Sequence, residues 1–197
     1  MNEAMTLEQP HESLIQPAHG VVAIYADGGV VGANPSPVGG VWAWCAVNEH
    51  DERVVRRSGF TPRRGVREVT NNNMELVALV LAVEALHEGW SGIICSDSRL
   101  ALGTLFEGFN ARKQPPNIVK RGMAAAARLG KVETMLLQGH PTKEDLITGI
   151  GARRNLPVSQ HNVWCDQECN RVKKQQKQAF ELAASMALCR QLNDCAA

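Results

Sequence analysis

Two short apolar runs, each stopped by an aspartate, constrain the fold of this chain most. "VVAIYADGG" (21–29) and "SGIICSDS" (91–98) hold unbroken apolar stretches too short for a helix and too continuous for a strand exposed on one face. They read as strands buried on both faces, which places helices on each side of the sheet. The first ends at Asp27 before Gly28 and Gly29, and the second ends at Asp97. In an open sheet of this kind, the crevice beyond the strand ends is where ligands bind.

The rest of the chain fits around these two runs. "GVWAWCAVNE" and "ERVVRRSGF" read as second and third strands joined by the turn "NEHD", which makes an antiparallel meander. "MELVALVLAVEALHEGW" has apolar residues at 76, 79, 80, 83 and 86, a helical period, with Gly89 near its end. A helix from about Ser98 to Phe106, the turn "NARKQPPN", a helix in "IVKRGMAAAARLG" and a fifth strand in "KVETMLLQGH" follow. Residues 141–160 are punctuated by Gly and Pro and read as a long loop. "HNVWCDQECNRVKKQQKQAFELAASMALCRQL" is a terminal helix, with room for one break.

The expected fold class is therefore α/β, a five-stranded mixed sheet with three antiparallel strands, then parallel ones, and flanking helices. Residues 1–20 are expected to form a flexible arm, 21–178 the folded domain, with 141–160 as an insertion loop, and 179–197 a C-terminal helix or tail.

With 197 residues the chain is long enough for one domain with a sizeable core. A formal net charge of +1 neither demands nor excludes a nucleic-acid partner, so any such affinity rests on local patches. The polar start "MNEAMTLEQPHESLIQPAHG" lacks the basic and apolar regions of a secretory signal, and no apolar stretch is long enough to span a membrane. Six cysteines without a CxxC pair read as reduced thiols, which suits a cytoplasmic protein. His161, Cys165 and Cys169 share a helical stripe, but without a convincing fourth ligand it makes a poor zinc site.

Four acids stand out by position: Asp27, Glu75, Asp97 and Asp166, the last near the start of the terminal helix. Each also has an ordinary explanation. Asp27 suits a turn, Asp97 a helix cap and Asp166 a solvated helix face, while Glu75 lies three residues after Asn72, the spacing of a capping box. Together they suggest more, because gathered carboxylates repel one another unless a cation joins them. Hard oxygen ligands favour magnesium or manganese, and two such ions about 4 Å apart can clamp both oxygens of a phosphodiester displacement.

"YADGG" with "GANPSPVGG", "TNNNMELVAL", "CSDS", "LLQGH" and "HNVWCD" resemble the successive motifs of ribonuclease H type 1, over roughly residues 21–172. The resemblance implies the ribonuclease H fold and metal-dependent cleavage of the RNA strand of RNA:DNA hybrids, with two Mg²⁺ ions, or Mn²⁺, in the site. It implies that Asp27, Glu75, Asp97 and Asp166 hold the metal and that His140 is the loop histidine helping protons move or product leave. His161 is the weaker substitute for that role. It further implies that Asn34, Thr70, Asn71, Asn72 and Ser98 lie at substrate-contact positions, with Asn71 and Asn72 reading ribose 2′-hydroxyls.

Two departures from the family pattern matter. The stretch between Asp97 and His140 is too short for the extra basic helix that some members use to grip the hybrid, which leaves Arg63, Arg64, Arg67, Lys120 and Arg121 as candidate grips or as plain surface charge. The segment between His140 and Asn162, which contains Arg153 and Arg154, is longer than the family's usual loop. The expected partner is the hybrid, with replication proteins as further candidates, and the expected state is a monomer of bacterial or phage type. The rival readings are a DNA-directed nuclease or junction resolvase of the wider superfamily and a non-catalytic hybrid-binding module.

Overall fold

A computed structural model describes residues 15–63 and 69–194, with side chains as far as residue 187. Strands β1 (Val21–Val30), β2 (Gly39–Asn48) and β3 (Arg53–Pro62) form the meander. Helix α1 (Asn71–Glu84), strand β4 (Gly92–Ser96), helices α2 (Arg99–Phe106) and α3 (Pro116–Ala126) and strand β5 (Val132–Leu136) follow. Helix α4 (Lys143–Thr148), the two-residue strands β6 (Ile150–Gly151) and β7 (Leu156–Pro157), and helix α5 (Gln160–Asp194) complete the chain. The main sheet has the order β3-β2-β1-β4-β5. Strands β1, β2 and β3 pair antiparallel, while β4 is parallel to both β1 and β5, so the expected mixed sheet is present.

Residue alternation on β1 sorts the two faces. Ile24 and Ala26 enter a core shared with Met74, Leu76, Leu79, Val80 and Val83 of α1 and with Leu102, Leu105 and Ile118 of α2 and α3. Ala23 and Tyr25 face the other way, into a smaller cluster with Val41, Ala43, Cys45, Cys165, Cys169 and Val172. Helix α1 is buried around most of its circumference because it lies between the sheet and the two shorter helices. Its first turn sits hard against β1: a Cβ on Gly28 would fall 2.2 Å from the Met74 carbonyl oxygen, so glycine is what permits this approach.

Several local expectations need correction. Thr70 is the N-cap of α1, its hydroxyl accepting from the Asn73 N–H at 3.2 Å, so Asn72 and Glu75 do not form the capping box suggested by their spacing. Ile15 is fully buried and its N–H donates to the Ala85 carbonyl, which attaches the chain to the core ahead of residue 20. Residues 1–14 lie outside the described residues, as do Arg64 and Arg67. The terminal helix is continuous over 35 residues, about 50 Å long, and passes residue 178 without a break.

The segment 141–160 is built rather than loose. Thr142 and Asp145 form a capping box at the start of α4, and Asp145 also accepts from the Ala152 N–H at 2.8 Å. The Gln138 N–H donates to the Pro157 carbonyl at 2.9 Å, tying the β6–β7 hairpin back to the end of β5.

Candidate active site

The carboxylates meet because of register. Tyr25 of β1 pairs with Cys95 of β4, so two residues further along these parallel strands Asp27 and Asp97 stand side by side. Alternation turns both toward the α5 face. Helix α5 supplies Asp166 there, one residue after Cys165, whose thiol packs over β1 and donates to the Tyr25 carbonyl at 3.5 Å. Glu75 reaches the same end of the sheet from the first turn of α1, which Gly28 has brought close.

Electrostatics reports the convergence. Asp27 is 8% exposed, and its carboxyl is held well above the usual range by burial first, then by the charges of Asp97, Asp166 and Glu75. Its Oδ1 accepts one hydrogen bond, from the Gly28 N–H at 2.7 Å. Burial also raises Asp97 and Glu75; His140 opposes the rise at Asp97, and a hydrogen bond from the Ser98 hydroxyl opposes it at Glu75. Among the described residues Asp97 Oδ1, a buried oxygen, has no hydrogen-bond partner. Such an atom is costly unless something electropositive meets it.

His140 has an αL backbone, with φ 48°, and an exposed ring whose Nδ1 lies 3.8 Å from Asp166 Oδ1. The same carboxylate oxygen accepts from Asn170 Nδ2 at 3.3 Å. His161 is elsewhere: it is 7% exposed, its Nε2 lies 2.8 Å from Asp51 Oδ1, and its ring packs on Tyr25. The two cysteines of the helical stripe turn to β1, the Cys165 and Cys169 thiols donating to the Tyr25 and Asp27 carbonyls. Among the described residues no three His, Cys, Asp or Glu side chains are drawn tightly enough to enclose a metal ion by themselves.

The polar residues expected at the substrate fall into two kinds. Asn71 and Asn72 are exposed at the first turn of α1. Asn71 Oδ1 accepts from the Val30 N–H at 3.1 Å, and its own N–H donates to Asn34 Oδ1 at 3.4 Å, so 34 and 71 form one unit beside the carboxylates. Ser98 is 6% exposed and occupied as the N-cap of α2, and Thr70 caps α1. Arg121 is also engaged, pairing through two nitrogens with Glu84 at 2.5 and 2.6 Å. Arg154, on the β6–β7 turn, lies near enough to Asp97 for its charge to favour the ionised carboxylate. The rigidity of this insertion went unread in the sequence, although the Thr142–Asp145 spacing was an available signal.

No family model matches the chain. It is similar to curated proteins named Ribonuclease H: 37% identical over 78 residues to that of Sodalis glossinidius, covering 40% of this chain and 42% of the relative. With the Chlorobium luteolum protein the identity is 35% over 88 residues, covering 45% and 53%. The match thus spans about half the length of these relatives. Among solved structures, the N-terminal RNase H domain of a Mycobacterium tuberculosis protein superposes with a TM-score of 0.54 at 15% identity, covering 81% of this chain and 99% of that one. An RNase H1 from Halobacterium salinarum gives 0.50 at 16% identity, covering 78% and 98%. The chain has the ribonuclease H fold, and over part of its length its sequence is similar to proteins of that name.

Proposed function

We propose that the chain is a metal-dependent endonuclease that hydrolyses the RNA strand of RNA:DNA hybrids. The observation that carries this reading is the meeting of Asp27, Glu75, Asp97 and Asp166 at one end of the sheet, with an unpartnered oxygen on Asp97. The likeness to proteins named Ribonuclease H supports the choice of chemistry.

The donor set fits divalent magnesium or manganese, because it is made of hard carboxylate oxygens whose mutual repulsion a cation relieves. All four carboxylates would hold the ions, and such ions supply charge stabilisation at the phosphate and activation of water. The remaining work falls to the chain itself. Asp97 and Asp27, fixed on adjacent strands, define where the phosphodiester is held. His140, on an exposed loop and within reach of Asp166, moves a proton between solvent and the reacting oxygens. Water attacks phosphorus, the bond to the 3′-oxygen breaks, and that oxygen takes up a proton, leaving 5′-phosphate and 3′-hydroxyl ends.

Asn71 presents its amide nitrogen outward because its oxygen is held by Val30, and this donor, with Asn72, suits a ribose 2′-hydroxyl. Removal of primers or R-loops is the setting such an activity serves, in the cytoplasm and by a monomer. The test is cleavage of hybrid with and without divalent metal, with Asp97→Asn as the inactive control. Uncut hybrid in both Mg²⁺ and Mn²⁺ refutes the reading.

A further inference from the structure

Lys173 lies on α5 seven residues beyond Asp166, on the same helix face, and has no part in the mechanism above. Its side chain crosses β1 at Gly29. A Cβ on Gly29 would stand 2.6 Å from Lys173 Nζ, 3.0 Å from its Cε and 3.8 Å from Asn71 Oδ1. The ammonium therefore fills the room that a side chain at 29 would need, and the Asn71 side-chain oxygen borders the same space.

This placement is specific. Gly29 is two residues past Asp27, about 7 Å along the strand, so the cation stands beside the carboxylate cluster and outside it. Lys173 is half-buried, whereas Lys174 and Lys177 on the same helix are exposed. Lys177 approaches Glu181 at 3.8 Å, but among the described residues no carboxylate forms an ion pair with Lys173. A partly desolvated ammonium beside a fixed amide, on a surface already suited to ribose, matches an anion carried next to a sugar. The backbone phosphate is that anion, and lysine meets it as a point charge.

We propose that Lys173 is a substrate-binding residue that seats a backbone phosphate of the hybrid on the Asn71 side of the site, distinct from the phosphodiester under attack. The proposal rests on the hybrid-nuclease reading and names one of its grips. It also answers the lack of a basic helix between Asp97 and His140: part of the grip has moved onto α5, with Gly29 making the space.

The experiment compares the full chain with Lys173→Gln and Lys173→Arg by hybrid cleavage kinetics in Mg²⁺, and by fluorescence anisotropy of labelled hybrid with Asp97→Asn as the common background. Lys173→Gln is expected to raise KM and the anisotropy Kd about tenfold with kcat changed less than about twofold. It should also lower the slope of log affinity against log salt by about one, and Lys173→Arg should recover most of the loss. Unchanged affinity and salt slope in Lys173→Gln, or a loss equal at all salt concentrations that Arg does not recover, overturns the proposal. If the unsubstituted chain cuts no hybrid, the functional reading falls, while anisotropy still reads the lysine on its own.

Discussion

His140 Nδ1 stands 3.8 Å from Asp166 Oδ1, joining the loop after β5 to the first turns of α5. The insertion that follows His140 is tied back to the end of β5 through Gln138 and Pro157 and braced internally through Asp145 and Ala152. A segment added at this point therefore leaves the histidine beside the carboxylates. His140→Ala is expected to lower kcat on hybrid by about a hundredfold with little change in KM, as loss of a proton carrier does. An equal kcat for the variant across the pH range would remove His140 from the reaction.

The raised carboxylates bear on stability. Burial and neighbouring charge lift Asp27, and burial lifts Asp97 and Glu75, above the ordinary range. Between the unfolded values near 4 and the raised folded values the native state binds more protons, so stability falls as pH rises. The melting temperature of metal-free protein should climb as pH is lowered from about 7.5 to about 5.5, opposite to a protein held by salt-bridged acids. Millimolar Mg²⁺ should raise it at neutral pH, and Asp97→Asn should both stabilise the metal-free protein and reduce the response to Mg²⁺. Differential scanning fluorimetry reads all three; a melting temperature that rises with pH in the metal-free protein contradicts the electrostatic account.

Arg121 serves the fold. Its paired bonds to Glu84 clamp α3 to α1, with the two side chains 25% and 12% exposed. Arg121→Ala should cost about 1–3 kcal/mol in denaturant unfolding, since it leaves Glu84 short of a charged partner. Hybrid affinity at fixed salt should stay unchanged, whereas an affinity loss with normal stability would return Arg121 to the substrate.

What the sequence disclosed follows from how much chain each feature occupies. β1 and β4 were legible because continuous apolar runs have few alternatives, and α1 because its period persists over four turns. The four acids could be ordered from those elements alone. Thr70 was missed as the cap because three asparagines offered an equally good oxygen, and only the backbone selects among them. Helix α4 and the β6–β7 hairpin escaped because six- and two-residue elements carry no readable period. Lys173 sat unnoticed in a polar helix, since its value depends on Gly29, 144 residues earlier and visible only once α5 packs across β1.

Asn71 tests the distinction between RNA and DNA. In Asn71→Asp the side-chain oxygen can still accept from the Val30 N–H, but the outward amide donor is gone and a negative charge replaces it near the substrate. Hybrid cleavage should fall by at least about tenfold, with a smaller effect on a substrate carrying a single 2′-deoxy position under Asn71 than on all-RNA strands. Equal losses on both substrates would mean that Asn71 shapes the loop and does not read the sugar.

The central claim is that the carboxylates gathered by β1, β4, α1 and α5 cut RNA paired to DNA. The direct measurement is cleavage of end-labelled RNA:DNA hybrid beside double-stranded RNA, double-stranded DNA and a DNA four-way junction, in Mg²⁺ or Mn²⁺, with Asp97→Asn in parallel. The account predicts internal cuts in the RNA strand of the hybrid alone, abolished by chelation and by Asp97→Asn. Cleavage of the junction with the hybrid left intact, or hybrid binding with no cleavage in either metal, would contradict it.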